Sequence, residues 1–183
     1  PRKCAVFLSK ANFVLSGETY YIVDENYEHF YRSLLAAHVP ADVVYDDDVL
    51  EGALAKYRAV FLPGFTGVTP EIDAAIADFE KSGGRVIRWP FLRAPYKDYK
   101  ITGGEYDENL DIRHPKAYFL PHQYRAWRHM HAAEMFEKVA DLMEVTCDNP
   151  DVIMNVVEAD GKRWAVLVND CRTYGPWTCL LYT

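Results

Sequence analysis

Asp46, Asp47 and Asp48 follow one another directly after the apolar segment Asp42-Val-Val-Tyr45. In open parallel sheets, ligands bind at the carboxyl ends of the strands. Acids at such a strand end could hold a cation or the hydroxyls of a sugar. The same three acids also suit the first turn of a helix, where they oppose the dipole and accept from free N–H groups. Aromatic faces stack on sugar rings and also anchor protein interfaces. The chain carries a run of them in Trp89, Phe91, Tyr96, Tyr99, Tyr106, Tyr118, Tyr124 and Trp127. Together these features give a candidate ligand-binding set of Asp46, Asp47, Phe65, Thr66, Trp89 and Tyr96.

Other reactive side chains are less well arranged. Glu105, Asp107, Glu108 and Asp111 crowd one stretch. Two carboxylates at the right separation hydrolyse glycosides, but acid-rich loops are ordinarily solvated. His129 and His131 stand two apart, so on a helix they point in different directions and do not chelate one metal; they read as surface histidines. His114 and His122 have no carboxylate at triad-like spacing. The four cysteines, Cys4, Cys147, Cys171 and Cys179, form no C-x-x-C pair and no zinc spacing. They read as small buried hydrophobes, with a disulfide between the late pair left open. The expectation is no catalytic residue, no metal and no cofactor.

The elements that would position these groups alternate. Cys4–Ser9 is a continuous apolar run, as in a strand buried on both faces. A polar loop is expected to Val23. Asp24 then caps a helix with Tyr27, Phe30, Tyr31, Leu34 and Leu35 on one face. Residues 42–45 read as a second strand, Val49 to Tyr57 as a short helix, and Ala59–Leu62 as a third strand. Thr69-Pro70-Glu71 opens a helix with Ile72, Ala75, Ile76 and Phe79 inward, and Gly83-Gly84 ends it. Arg85–Trp89 is the fourth strand. Strands alternating with helices predict right-handed crossovers and a doubly wound, mostly parallel α/β sheet. Pro90 to Arg125 shows no clean period and reads as a lid, arm or interface. A long helix follows from about Ala126 to Val145. Residues 152–158 and 163–169 form a hairpin around Asp160-Gly161. The expected division is an α/β domain over 1–150 and a hairpin opening a further β-rich domain over 151–183.

Composition narrows the partners. The chain has 183 residues, half of them hydrophobic, with a formal charge of −7 and 13 tyrosines. That length suits one domain with the start of another. The acidic balance and lack of a basic run argue against nucleic acid or anionic lipid. No apolar stretch of about 18 residues would span a membrane. The chain starts at Pro1 and stops at Thr183 within the apolar run Trp177-Thr-Cys-Leu-Leu-Tyr. Both ends read as excision points in a longer polypeptide. The compartment stays open.

The stretch from Arg58 to Leu92, RAVFLPGFTGVTPEIDAAIADFEKSGGRVIRW and its continuation, carries a family likeness. An apolar strand ends in Leu-Pro, Thr-Pro-Glu opens a helix, and Gly-Gly-Arg-Val-Ile opens the next strand. Ala41-Asp-Val-Val-Tyr-Asp46 fits the same pattern. This resembles the class I glutamine amidotransferase-like, or flavodoxin-like, fold. In detail it is most similar to the non-catalytic trimerisation-type domain that follows the barrel in some bacterial β-galactosidases and related glycoside hydrolases. True amidotransferases place a nucleophilic cysteine in a Gly-x-Cys-x-Gly elbow after the fourth strand. Here the sequence reads Arg88-Trp89-Pro90-Phe91-Leu92, with Pro90 at that position, and proline has no N–H for an oxyanion hole. The family's His-x-Glu pair is absent as well. Asp160 to Asp170 resembles the entry strands of the β-sandwich that often follows such a domain.

The resemblance implies a structural or oligomerisation module that contacts other domains of its own polypeptide and a second copy through residues 90–125. The alternatives are a sugar- or small-ligand-binding module, or a hydrolase using acids of the 90–125 segment.

Overall fold

The computed structural model describes residues 2–16, 20–64, 67–89, 131–149 and 152–169. The expectations placed on Phe65, Thr66, Tyr96, His129 and the 90–125 segment fall outside those residues.

The four strand segments form β1 (Cys4–Phe7), β2 (Ala41–Val44), β3 (Ala59–Pro63) and β4 (Arg85–Trp89). All pair in parallel, in the order β2-β1-β3-β4. Central β1 aligns Cys4 with Ala41 on one side and with Ala59 on the other. Its four residues are all buried, as a strand covered on both faces requires.

One face of the sheet shows Cys4, Val6, Phe61, Ile87 and Trp89. It packs against Phe30 and Leu34 of helix α2 (Tyr20–Ala36) and against Ala132, Met135 and Val139. The other face shows Ala5, Phe7, Val44, Val60 and Leu62. It packs against Val49 of α3 (Asp46–Leu50), Leu54 of the 3-10 turn Ala53–Lys56, and Ile72, Ile76 and Phe79 of α4 (Pro70–Lys81). Helices therefore cover both faces, and each buried Leu, Ile or Phe side chain contributes about 1.5–3 kcal/mol.

The start of α4 follows its sequence signal: the Thr69 hydroxyl accepts from the Ile72 N–H at 3.5 Å, with Pro70 in the first turn. At its end, a Cβ on Gly84 would lie 2.3 Å from the Phe79 ring, so only glycine lets that ring close over the chain.

Three helical expectations need correction. The segment after β1 is not a polar loop: helix α1 (Lys10–Ser16) forms there, and α2 begins at Tyr20, ahead of Asp24. The helix expected over Val49 to Tyr57 is split into α3 and the 3-10 turn, because Gly52 takes a left-handed φ of 81° between them. Residues 131–137 are helical (α5), but the helix does not run on to Val145. A 3-10 turn (Ala140–Leu142) replaces its last turns. Arg85 spans the break: its Nη1 donates to the Lys138 carbonyl at 2.6 Å and to Asp141 Oδ1 at 2.8 Å.

Strands β5 (Val152–Ala159) and β6 (Lys162–Asn169) form a separate antiparallel hairpin. Asp160 and Gly161 turn it, with φ of 53° and 69°, the left-handed pair that a two-residue hairpin needs. The hairpin meets the amino-terminal edge of the parallel sheet. Buried His38, itself left-handed at φ 55°, donates from Nε2 to the Val152 carbonyl at 2.6 Å. Glu144 bridges Lys3, at 2.9 Å, and Arg163.

Candidate functional site

The carboxyl ends of β1 and β2 meet in one hydrogen-bonded cluster built on α1. Ser9 ends β1's chain path, is fully buried, and caps α1 by accepting from the Asn12 N–H at 3.4 Å. Asp46, just past β2, accepts from the Lys10 N–H at 2.6 Å and from the Ser9 hydroxyl at 3.4 Å. Asp47 takes the Lys10 ammonium in an exposed ion pair, which pushes the Lys10 pKa up. Asp48 accepts from the Tyr45 N–H at 2.8 Å and so closes the first turn of α3.

The inner side of α1 is as well fixed. Asn12 donates to the Tyr27 hydroxyl at 2.9 Å and accepts from the Gly67 N–H at 3.1 Å, tying α1 to α2 and to the loop before α4. Phe13 meets the Tyr27 ring edge-on at 5.3 Å. Burial pushes the Tyr27 pKa up, with the bonds from Asn12 and to Ser9 opposing.

The acids found in the sequence thus stand at a strand end, as expected, and their oxygens are engaged in holding α1 and α3. Among the described residues, no group of three or more His, Cys, Asp or Glu is placed to hold a metal ion. Trp89 lies elsewhere. It ends β4, the opposite edge strand from β2, roughly 14 Å across three strand spacings. It is 5% exposed, edge-on to Phe30 at 5.9 Å and to His131 at 6.2 Å. The structure therefore does not bring Trp89 together with Asp46 and Asp47.

His131 was expected on the surface; it is half-buried against Trp89, and burial pushes its pKa down, with Glu134 opposing. Cys4 is fully buried, as a small hydrophobe would be, and burial pushes its thiol up to about 11. Cys147 is half-exposed.

Ser9, Lys10, Asn12 and Tyr27 are the cluster members that sequence reasoning missed. The available signal was Ser9 directly ahead of a helix-compatible Lys-Ala pair, a capping position.

Four parallel strands with helices on both faces, closed by a structural cluster at the carboxyl edge, define a layered α/β domain. The family model described as the beta-galactosidase trimerisation domain matches residues 11–91. The chain is similar to that family from within α1 to just past β4. No curated protein and no solved structure matches.

Proposed function

We propose that this chain is a non-catalytic oligomerisation module of a larger glycoside hydrolase. The observation that carries this reading is the match of residues 11–91 to the beta-galactosidase trimerisation domain. The strand order β2-β1-β3-β4 supports a flavodoxin-like, glutamine amidotransferase-like ancestry, since that fold begins 2-1-3-4. Loss of glutaminase chemistry follows from the residues at the end of β4. A nucleophile elbow needs small neighbours and free amides; here a buried indole, Trp89, precedes Pro90.

In this reading residues 1–150 form the α/β domain and 151–183 open a β-rich domain. Its partners are other domains of the same polypeptide and further copies of the chain, with the 90–125 segment contributing contacts. Of the candidate ligand residues, Asp46, Asp47 and Trp89 are then structural positions. Sedimentation equilibrium of the chain, with assays on aryl galactosides and glutamine, tests this. A concentration-dependent trimer without turnover is the expected outcome. A monomer at all concentrations, or turnover lost on Glu105→Gln or Glu108→Gln, refutes it.

A further inference from the structure

We propose that the buried imidazole of His38 is a latch that fixes the β5–β6 hairpin in one orientation on the α/β layer. The inference goes beyond the oligomerisation reading and holds for a monomer or a trimer alike.

Helix α2 ends in a pair of bonds that ordinarily surrounds a glycine. The Val39 N–H reaches back to the Leu34 carbonyl at 3.0 Å and the His38 N–H to the Leu35 carbonyl at 3.2 Å, with His38 left-handed at φ 55°. Glycine takes that backbone freely, whereas a residue with a Cβ is strained there. Such strain persists only where the surroundings hold the residue, and it points to a role for the side chain. The His38 ring is 5% exposed, and its Nε2 donates to the Val152 carbonyl at 2.6 Å, 114 residues further along the chain.

That bond falls at the first residue of β5, the root of the hairpin. The Val152 N–H goes to the Asn149 carbonyl at 3.0 Å, so both backbone groups of Val152 are bonded outside the β5–β6 ladder. Packing does little to hold the hairpin. Among its described side chains only Met154 is buried, and a cavity of about 60 Å³ stays open between Met154 and Val156 on one side and Pro40, Leu142 and Met143 on the other. The ion pairs of Glu144 with Lys3 and Arg163 join side chains 39% to 56% exposed, and pairs so exposed add little. A short hydrogen bond from a buried ring is therefore the contact that sets the angle between hairpin and layer.

The test is hydrogen exchange of the 183-residue chain beside His38→Gly, which keeps the left-handed turn and removes the ring, with Glu144→Gln for comparison. In His38→Gly the amides of β5 and β6 are expected to exchange roughly tenfold faster, the loss of one well-made hydrogen bond. Those of β1 and β3 keep or gain protection, because the backbone strain at the end of α2 is relieved. Glu144→Gln is expected to change hairpin exchange by less than about threefold. Hairpin exchange left unchanged by His38→Gly overturns the inference. So does an equal acceleration in the hairpin and in β1 and β3, which would make His38 an ordinary core residue. A loosening by Glu144→Gln as large as that by His38→Gly overturns it too. In the unmutated chain the His38 Nε2–H should give a proton resonance protected from solvent, and one that exchanges freely also sinks the latch.

Discussion

Strands β1 and β6 are both rich in apolar residues, yet they end in opposite environments. Cys4, Ala5, Val6 and Phe7 are at most 1% exposed, whereas Trp164, Val166, Leu167 and Val168 are between 46% and 60% exposed. The difference is not in the side chains. Strand β1 has a strand on each side and helices above and below it. Among the described residues, strand β6 has one partner strand, and only Met154 of that partner is buried. An apolar run thus specifies a strand, but the number of layers around it decides how much burial it contributes.

The sharpest way to break this comparison is at the sheet centre. Phe61 of β3 is fully buried and packs on Phe30 with ring centroids 5.7 Å apart. Phe61→Ala is expected to cost about 3–5 kcal/mol, read as a large drop in the urea midpoint. A loss below about 1 kcal/mol would show that the α/β layer is no tighter than the hairpin.

Cysteine chemistry sharpens it next. With its thiol near 11 against an ordinary 9.0, Cys4 holds about a hundredfold less thiolate than an unperturbed cysteine at pH 8. Alkylation of the folded chain should spare Cys4 while half-exposed Cys147 reacts. The sign of the linkage follows. The folded pKa is raised, so the associated stability is fully present below the unfolded thiol's pKa of about 9. It is lost as pH rises from there through about 11. Cys4→Ser should flatten that alkaline fall. Equal labelling of both thiols would refute the burial of β1.

The smallest effect belongs to the hairpin. Trp164→Ser and Leu167→Ser, each more than half exposed, should change stability by within about 0.5 kcal/mol. A loss of several kcal/mol in the isolated chain would mean that β6 is covered after all.

What could be read from the sequence follows the same division. All four parallel strands were legible: β1 and β3 as short apolar runs buried throughout, and the edge strands β2 and β4, which carry Asp42, Arg85 and Arg88, from their place in the alternation with helices. Helix α4 was legible through Thr69-Pro70 and its inward Ile72, Ile76 and Phe79. Helix α1 was not, because its pattern is inverted. Polar Asn12 is buried through specific hydrogen bonds while Val14 and Leu15 face water, so periodicity points the wrong way. The break after α5 was hidden for a similar reason. Val139 and Leu142 both pack inward, and the Arg85–Asp141 pair across the break joins residues distant in sequence. Of the candidate site, the strand-end placement of Asp46 and Asp47 was readable from order alone. Their bonds to α1 depend on contacts distant in sequence.

The position of β1 in the middle of its sheet has a consequence for how the chain acquires its structure. Its neighbours on either side, β2 and β3, are both made later, each beyond at least one intervening helix. Of these four strands, β1 emerges ahead of the others and cannot be satisfied until the chain has closed two long loops, and such non-local pairing is slow. The hairpin, closed by Asp160 and Gly161 alone, can zip in microseconds. On emergence from the ribosome, β1 is thus an apolar segment awaiting both its partners, and the interval before β3 appears is when this chain is most open to aggregation or to a chaperone.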